Sequence, residues 1–344
     1  MVDMALGQRA PQVAGATESG RFYSLELQAG RPAVLLFLHG CGPAAARVLL
    51  DALAPARATL DAAGVDLVPL APQDLAYARA FADGAMREAV VYAAPTWPRR
   101  DADGPAALVL DRSGRVVHQA AVYGADDLLQ AHARAAPRLW SEPSRLCLSS
   151  APVLILPNLM TPAACRALIE HFEQAEHRVG VMAGVENGRP VAKLDESKKR
   201  RREIELQPDE PEHAMLLEVL GDRCVPEIKR AFQVDIAHAD RILVARYDAS
   251  GGWFKRHRDD AAPQTAFREF AVSINLNTED YEGGELLFPE FDDHRYSPPT
   301  GSAIIFSASL LHEAAPVTQG SRYVALSFLC SARALERIPP AQNT

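Results

Sequence analysis

The sequence predicts two folded units of different class, an α/β unit followed by a β-rich unit with flanking helices. Three observations carry this. The chain has 344 residues, more than one compact core usually needs. In its amino-terminal part apolar runs of strand length alternate with helical patterns, whereas from Arg241 onward short strand-like runs follow one another between turn-rich segments. Between them lies PRLWSEPSRLCLSSAP, from Pro137 to Pro152, with spaced prolines and no sustained periodicity, which reads as the interdomain connection. The expected boundaries are 1–137, a linker at 138–150, and 151–344. Trp140 and Leu146 suggest that the linker packs rather than floats.

In the first part, Ala33 to Leu38 is a continuous apolar run of strand length, and Gly40, Gly42 and Pro43 precede a helical pattern through Ala63. Val65 to Leu70 is another buried strand. Ala106 to Leu110 and Val116 to Val122 flank the turn signal Asp111-Arg112-Ser113-Gly114, and a helix is expected from Asp126 to Ala135. This order, with Leu6-Gly7-Gln8-Arg9-Ala10-Pro11 and the stretch Leu35 to Cys41, resembles the thioredoxin-like fold in its redoxin branch, which includes peroxiredoxins. The resemblance covers residues 5–137.

Cys41 sits between a strand and a helix start, where unpaired amides and the helix dipole can stabilise a thiolate. Cys41-Gly42-Pro43-Ala44 resembles a thioredoxin CGPC motif whose second cysteine is alanine, so no disulfide can form within it. Val34 and Leu38 stand where peroxiredoxins carry proline and threonine. The expectation for this domain is a docking, regulatory or folding role. The alternative is a thiol-dependent redox protein acting through Cys41, with the second domain as a binding module.

In the second part, helices are expected at Pro162 to Glu173 and around Glu212 to Phe232. Strands follow at Arg241 to Tyr247, Glu269 to Asn277, Glu285 to Phe288, Ser302 to Phe306 and Arg322 to Leu329, as an antiparallel barrel or sandwich needs. Within this region His257 and Asp259 are two apart, so an extended backbone points both to one face, and His312 follows the strand ending at Phe306. Asp260 faces the other way unless the strand ends there. Two imidazoles and one carboxylate form the facial triad associated with Fe(II) oxygenases. Arg322 lies at the head of the last strand. Its guanidinium is always charged and grips a carboxylate through two parallel hydrogen bonds, which suits the distal carboxylate of a 2-oxo diacid.

Arg246-Tyr247, Trp253 to Asp259, Glu282-Gly283-Gly284-Glu285-Leu286 and His312 to Tyr323, in this order, resemble the prolyl 4-hydroxylase type of 2-oxoglutarate- and Fe(II)-dependent dioxygenases. Ala151 to Phe172 is similar to that family's helical entry, so the likeness spans residues 150–332. It implies a double-stranded β-helix (jelly roll), with His257, Asp259 and His312 as metal ligands and catalytic centre, Arg322 binding the cosubstrate and Tyr247 hydrogen-bonding its carboxylate. Many members carry lysine where this chain has Arg322. The implied cofactors are Fe(II), 2-oxoglutarate and ascorbate. The implied reaction is hydroxylation of a peptidyl proline, another protein or peptide target or a small molecule, with release of succinate and CO2.

Other features read more plainly. With 36 Lys and Arg against 44 Asp and Glu, the net charge of −8 gives no general reason to expect nucleic acid or an anionic membrane as partner. Met1 to Gln12 lacks a basic segment followed by an apolar run, and no stretch stays apolar for the ~18 residues of a membrane span, so a cytoplasmic protein is expected. Cys41, Cys147, Cys165, Cys224 and Cys330 are scattered and read as reduced thiols. His238 and His294 read as surface or packing residues, and Gly283-Gly284 as a turn with close backbone approach. Lys198 to Arg202 has the composition of a nucleic-acid or anionic-substrate patch, but Asp195, Glu196 and Glu203 weaken that case and it reads as a solvated, mobile segment. A part in a substrate loop is its second reading.

Overall fold

The structure, a computed structural model, describes residues 4–337 except 12, 18, 39–40, 83–89, 94–103, 140–145, 187–188 and 250. The chain divides into two compact units, Met1–Ser144 and Arg145–Thr344.

The first unit contains β1 (Ala14–Thr17), β2 (Phe22–Ser24), β3 (Ala33–Phe37), α1 (Pro43–Ala62), β4 (Asp66–Ala71), α2 (Leu75–Phe81), β5 (Val91–Ala93), β6 (Ala106–Leu110), β7 (Val116–Ala121) and α3 (Ala125–Ala135). They form one sheet in the order β2-β1-β5-β4-β3-β6-β7, with β3, β4 and β5 mutually parallel and β6-β7 an antiparallel hairpin. All of β3 is buried because both faces are covered. Val34 and Leu36 meet Leu49, Leu53 and Leu60 of α1, whereas Leu35 and Phe37 face Met4, Ala10 and Val13. The expected element order is observed. The strands β1, β2 and β5 and the helix α2 are additional, each too short to leave a clear period.

The second unit contains β8 (Leu154–Leu156), α4 (Pro162–Gln174), β9 (Arg178–Val179), β10 (Met182–Glu186), β11 (Arg189–Lys193), β12 (Lys199–Arg200), β13 (Arg202–Glu205), α5 (Pro211–Val219), α6 (Val225–Phe232), β14 (Ile236–Asp248), β15 (Trp253–His257), β16 (Phe270–Asn275), β17 (Glu282–Gly283), β18 (Leu286–Leu287), β19 (Ala303–Ser307), β20 (His312–Ala314), β21 (Val317–Gln319), β22 (Ser321–Ser331) and α7 (Ala332–Leu335). A π-helical turn at Leu220–Cys224 joins α5 to α6. Thr161 caps α4 by accepting from the Ala164 amide, with Pro162 in the first turn.

The main sheet is antiparallel, in the order β8-β19-β16-β22-β14-β13-β9, and a smaller one runs β12-β15-β20-β18. Alternation sorts the main sheet's side chains. Val244, Val272, Ile274 and Ile305 pack under Leu168 and Phe172 of α4, Leu216 of α5 and Ile228 of α6. Leu243, Ala245, Ile304, Phe306 and Val324 point the other way and meet Leu286 and Ala314 of the smaller sheet around Phe288. A buried leucine or phenylalanine contributes roughly 1.5–3 kcal/mol, so these two apolar layers fix the sheet between helices and second sheet. The candidate site lies in the layer between the sheets.

Several expectations are corrected. β14 reaches well beyond its apolar stretch, because it pairs with β22 along most of its length, through polar positions such as His238 and Asp240. Leu146 is 86% exposed, so it does not pack as expected; Trp140, Gly40 and Ser250 lie outside the described residues. Gly283 and Gly284 do make the close approach foreseen, with φ of 79° and 69°. Among the described residues no helix is long and apolar enough to cross a membrane.

Candidate metal centre

His257 closes β15 and His312 opens β20, and the antiparallel register of these strands sets the two residues opposite each other. Asp259 lies just past the end of β15, its amide donating to the Ala308 carbonyl at 2.9 Å. It thus reaches the imidazoles from a turn, not from the shared strand face expected from spacing. Asp260 turns away and accepts from the Ser309 hydroxyl.

The Asp259 carboxylate lies between the rings, with Oδ1 3.4 Å from His257 Nε2 and Oδ2 3.5 Å from His312 Nε2. One ligand atom from each residue lies within 4.8 Å of the others, and among the described residues no other trio of His, Cys, Asp or Glu does this. Both imidazoles have their far nitrogen engaged. His257 Nδ1 donates to the Lys255 carbonyl at 2.7 Å and His312 Nδ1 to the Leu310 carbonyl at 2.9 Å. A carbonyl can only accept, so Nδ1 carries the proton and Nε2 presents a lone pair inward, the arrangement a metal-binding histidine requires. Phe254 stacks on His257 with centroids 3.4 Å apart, and Phe306 meets His312 edge-on at 4.6 Å.

The charge states suit a cation. Burial raises the Asp259 carboxyl, but His312, His257 and Arg268 outweigh it and hold the group at about 2. Burial pushes the His312 imidazole down to about 4. At neutral pH the trio therefore offers one carboxylate and a neutral His312 ring, the forms that bind a divalent ion.

Arg322 lines the same cavity as the trio, together with Tyr247, Ser273, Phe254 and Phe306. The cavity measures about 60 Å³; at about 10–15 Å³ per water it takes on the order of four to six waters, so it suits a small acid and is too small for a peptide. Arg322 is only 3% exposed. Its Nη2 makes a long contact of 3.4 Å to Asn275 Oδ1, and Asn275 is oriented by donating its own amide to Pro298 at 2.9 Å. The Arg322 Nε and the Ser273 hydroxyl are buried with no partner. A buried guanidinium with an idle donor is costly until an anion joins it.

Tyr247 is buried, but its hydroxyl accepts from Arg201 Nη1 at 2.8 Å. Arg201 was missed by the sequence reading because it belongs to the basic run 198–202. That run is solvated only at alternate positions, with Lys198, Arg200 and Arg202 exposed. Lys199 and Arg201 are buried, and the neighbouring acid is their counterion: Glu203, fully buried, receives Arg201 Nε at 2.9 Å, Lys199 Nζ at 3.3 Å and Arg241 at 3.3 Å. Burial raises the Glu203 carboxyl, but the three cations hold it at about 2. One carboxylate cannot balance three cations, and burial beside Arg201 pushes the Lys199 ammonium down to about 7. The signal was present as the alternation Lys199, Arg201, Glu203, which puts three charges on one face of an extended chain.

Cys41 departs from the thiolate expectation. Its Sγ donates to the Leu38 carbonyl at 3.3 Å, and burial raises its pKa. His238 and His294 are exposed, and the five cysteines are free.

No family model matches the chain. A PKHD-type hydroxylase of Synechococcus sp. (strain JA-2-3B'a(2-13)) is 35% identical over 96 residues, which is 26% of this chain and 42% of that protein. A PKHD-type hydroxylase of Paracoccus denitrificans is 29% identical over 185 residues, covering 50% of this chain and 74% of the relative. Among solved structures, the viral collagen prolyl hydroxylase of Paramecium Bursaria Chlorella virus-1, a 2OG complex, aligns with TM-score 0.40 and 18% identity over 53% of this chain and 98% of its own. The chain thus spans less than half the length of the first curated relatives it matches. Its likeness to curated proteins is to hydroxylases, consistent with the prolyl 4-hydroxylase resemblance carried by the sequence.

Proposed function

We propose that the second unit is a 2-oxoglutarate- and Fe(II)-dependent dioxygenase that hydroxylates a peptidyl proline. The observation that carries this reading is the convergence, in one cavity, of an inward-facing His257, Asp259, His312 trio and a buried Arg322 with an idle donor. The two antiparallel sheets around that cavity support the double-stranded β-helix that the resemblance implies.

In this reading His257 Nε2, Asp259 and His312 Nε2 hold the iron, and the Asp259 charge offsets part of the ion's own. Arg322 takes the distal carboxylate of 2-oxoglutarate, with the Ser273 hydroxyl as a second donor. Bound iron supplies O2 activation coupled to oxidative decarboxylation of 2-oxoglutarate to succinate and CO2. Phe254 and Phe306 hold the rings in place and keep the cavity wall apolar, which limits water at the reacting centre. Tyr247, held by Arg201, forms part of the wall beside Arg322, whose guanidinium lies 5.3 Å from its ring centre.

The test is succinate formation by the full chain against added Fe(II) and 2-oxoglutarate, with N-oxalylglycine as suppressor. Asp259→Ala is expected to abolish turnover and weaken iron binding. Full turnover in that variant removes Asp259 from the metal site. Peroxide consumption that disappears in Cys41→Ser is the result expected of the rival thiol chemistry.

A further inference from the structure

His257 and Asp259 face a second, more open space. This groove measures about 500 Å³ and shares Arg201, Phe254, His257 and Asp259 with the inner cavity. Its lining is unlike the rest of the chain. Lys198, Lys199, Arg241, Arg256, Arg258 and Arg268 join Arg201 along it, and among the described residues Asp259 is its one acidic residue. Over the whole sequence acids outnumber bases, 44 to 36.

The acids that pair with four of these bases do not line the groove. Arg258 meets Glu290 at 2.6 Å, Arg268 meets Asp240 at 2.7 Å, Arg241 meets Glu205 at 3.2 Å and Arg256 meets Glu313 at 3.3 Å. Such pairs hold each guanidinium in one orientation while its remaining N–H donors stay free to engage a ligand, so little side-chain entropy is lost on binding. Lys198 is exposed and pairs with no acid among the described residues. The aromatic lining offers no stacking platform for bases, since Phe254 is covered by His257 and Phe328 by the Arg268 guanidinium, 3.7 Å from its centre. The overall negative charge further disfavours a polyanion as long as a nucleic acid.

We infer that this groove selects an acidic peptide segment, presenting Asp or Glu carboxylates next to the residue that is modified. The inference rests on the oxygenase reading for its consequence, the choice of hydroxylation target. Its own claim is one of binding.

The experiment is fluorescence anisotropy on the full chain with a short fluorescein-labelled Glu-Pro repeat peptide and its Gln-Pro counterpart. Two to three partly exposed ion pairs correspond to roughly five- to thirtyfold tighter binding of the Glu peptide. Added salt should shrink that preference, and Lys198→Gln combined with Arg256→Gln should remove most of it. Equal affinities, no binding of either peptide, or an unchanged preference in the double variant overturns the inference. So does displacement of the Glu peptide by equimolar free glutamate, which makes the ligand a small acid, or by a single-stranded oligonucleotide. Succinate release by the unmodified chain is measured alongside. A Glu preference without any Fe(II)-dependent succinate supports the groove and refutes the oxygenase, whereas succinate without a Glu preference does the reverse.

Discussion

Replacing Arg322 by glutamine removes the guanidinium while keeping a polar side chain of similar reach. In the protein without cosubstrate this arginine is buried, has an idle Nε and makes one long contact to Asn275. Two charge-assisted hydrogen bonds to a carboxylate, each contributing on the order of 1.5–3 kcal/mol, are lost on replacement. Glutamine can still donate one neutral hydrogen bond of about 1 kcal/mol, so about 2–5 kcal/mol of binding remains at stake, or roughly 30- to 4,000-fold in the Kd for 2-oxoglutarate. The assay is an anaerobic titration of the iron-loaded protein, following the visible metal-to-ligand band. Arg322→Lys restores the charge without the fork and should recover part of the loss. The glutamine substitution carries an opposite expectation for the cosubstrate-free protein. Removing an uncompensated buried cation should leave its stability to urea unchanged or raised. A glutamine variant that unfolds more easily yet binds 2-oxoglutarate as before would refute the assignment, because Arg322 would then be a structural residue.

Three further outcomes follow from the surroundings of the site. Glu203→Gln strands Arg201 and Lys199 in the interior and should cost about 3–5 kcal/mol of stability. Since the Glu203 carboxyl sits at about 2 rather than its ordinary 4.5, its contribution, on the order of 3 kcal/mol, is complete above pH 4.5 and lost as pH falls toward 2; urea midpoints across this range should be flatter in the variant. Gly284→Ala forces a side chain onto φ +69°, with its Cβ 2.8 Å from Arg322 Cδ, so stability should fall by roughly 1–2 kcal/mol and the KM for 2-oxoglutarate should rise. A variant of equal stability and KM would show that the turn relaxes without touching Arg322. Because burial raises the Cys41 thiol, its alkylation by iodoacetamide at neutral pH should be slower than that of the exposed Cys147, as peptide mass mapping can measure.

The four residues proposed to hold metal and cosubstrate were legible because their chemistry has few alternatives. Two histidines, an aspartate and a late-strand arginine in that order imply a metal and a diacid, and the structure gathers all four around one cavity. The long apolar strands were legible for a similar reason, since β3, β6 and β16 are buried along their whole length. What escaped is what depends on pairing. β12 and β20 span 2 and 3 residues and exist because β15 lies beside them. Arg201 escaped because a run of five basic residues has an average that says solvent, while its alternate members say interior. The reach of Asp259 from a turn escaped because the strand pattern does not reveal where β15 stops.

Both imidazoles of the trio are anchored in the same way, each to the carbonyl two residues before it in the chain, Lys255 for His257 and Leu310 for His312. The proton arrangement that readies them is thus written into local backbone and owes nothing to a distant carboxylate that could itself titrate or be mutated away. In the proposed metal site an ion that left would be replaced by another without either ring having to be turned round, and a substitution elsewhere in the cavity would leave that ring orientation intact.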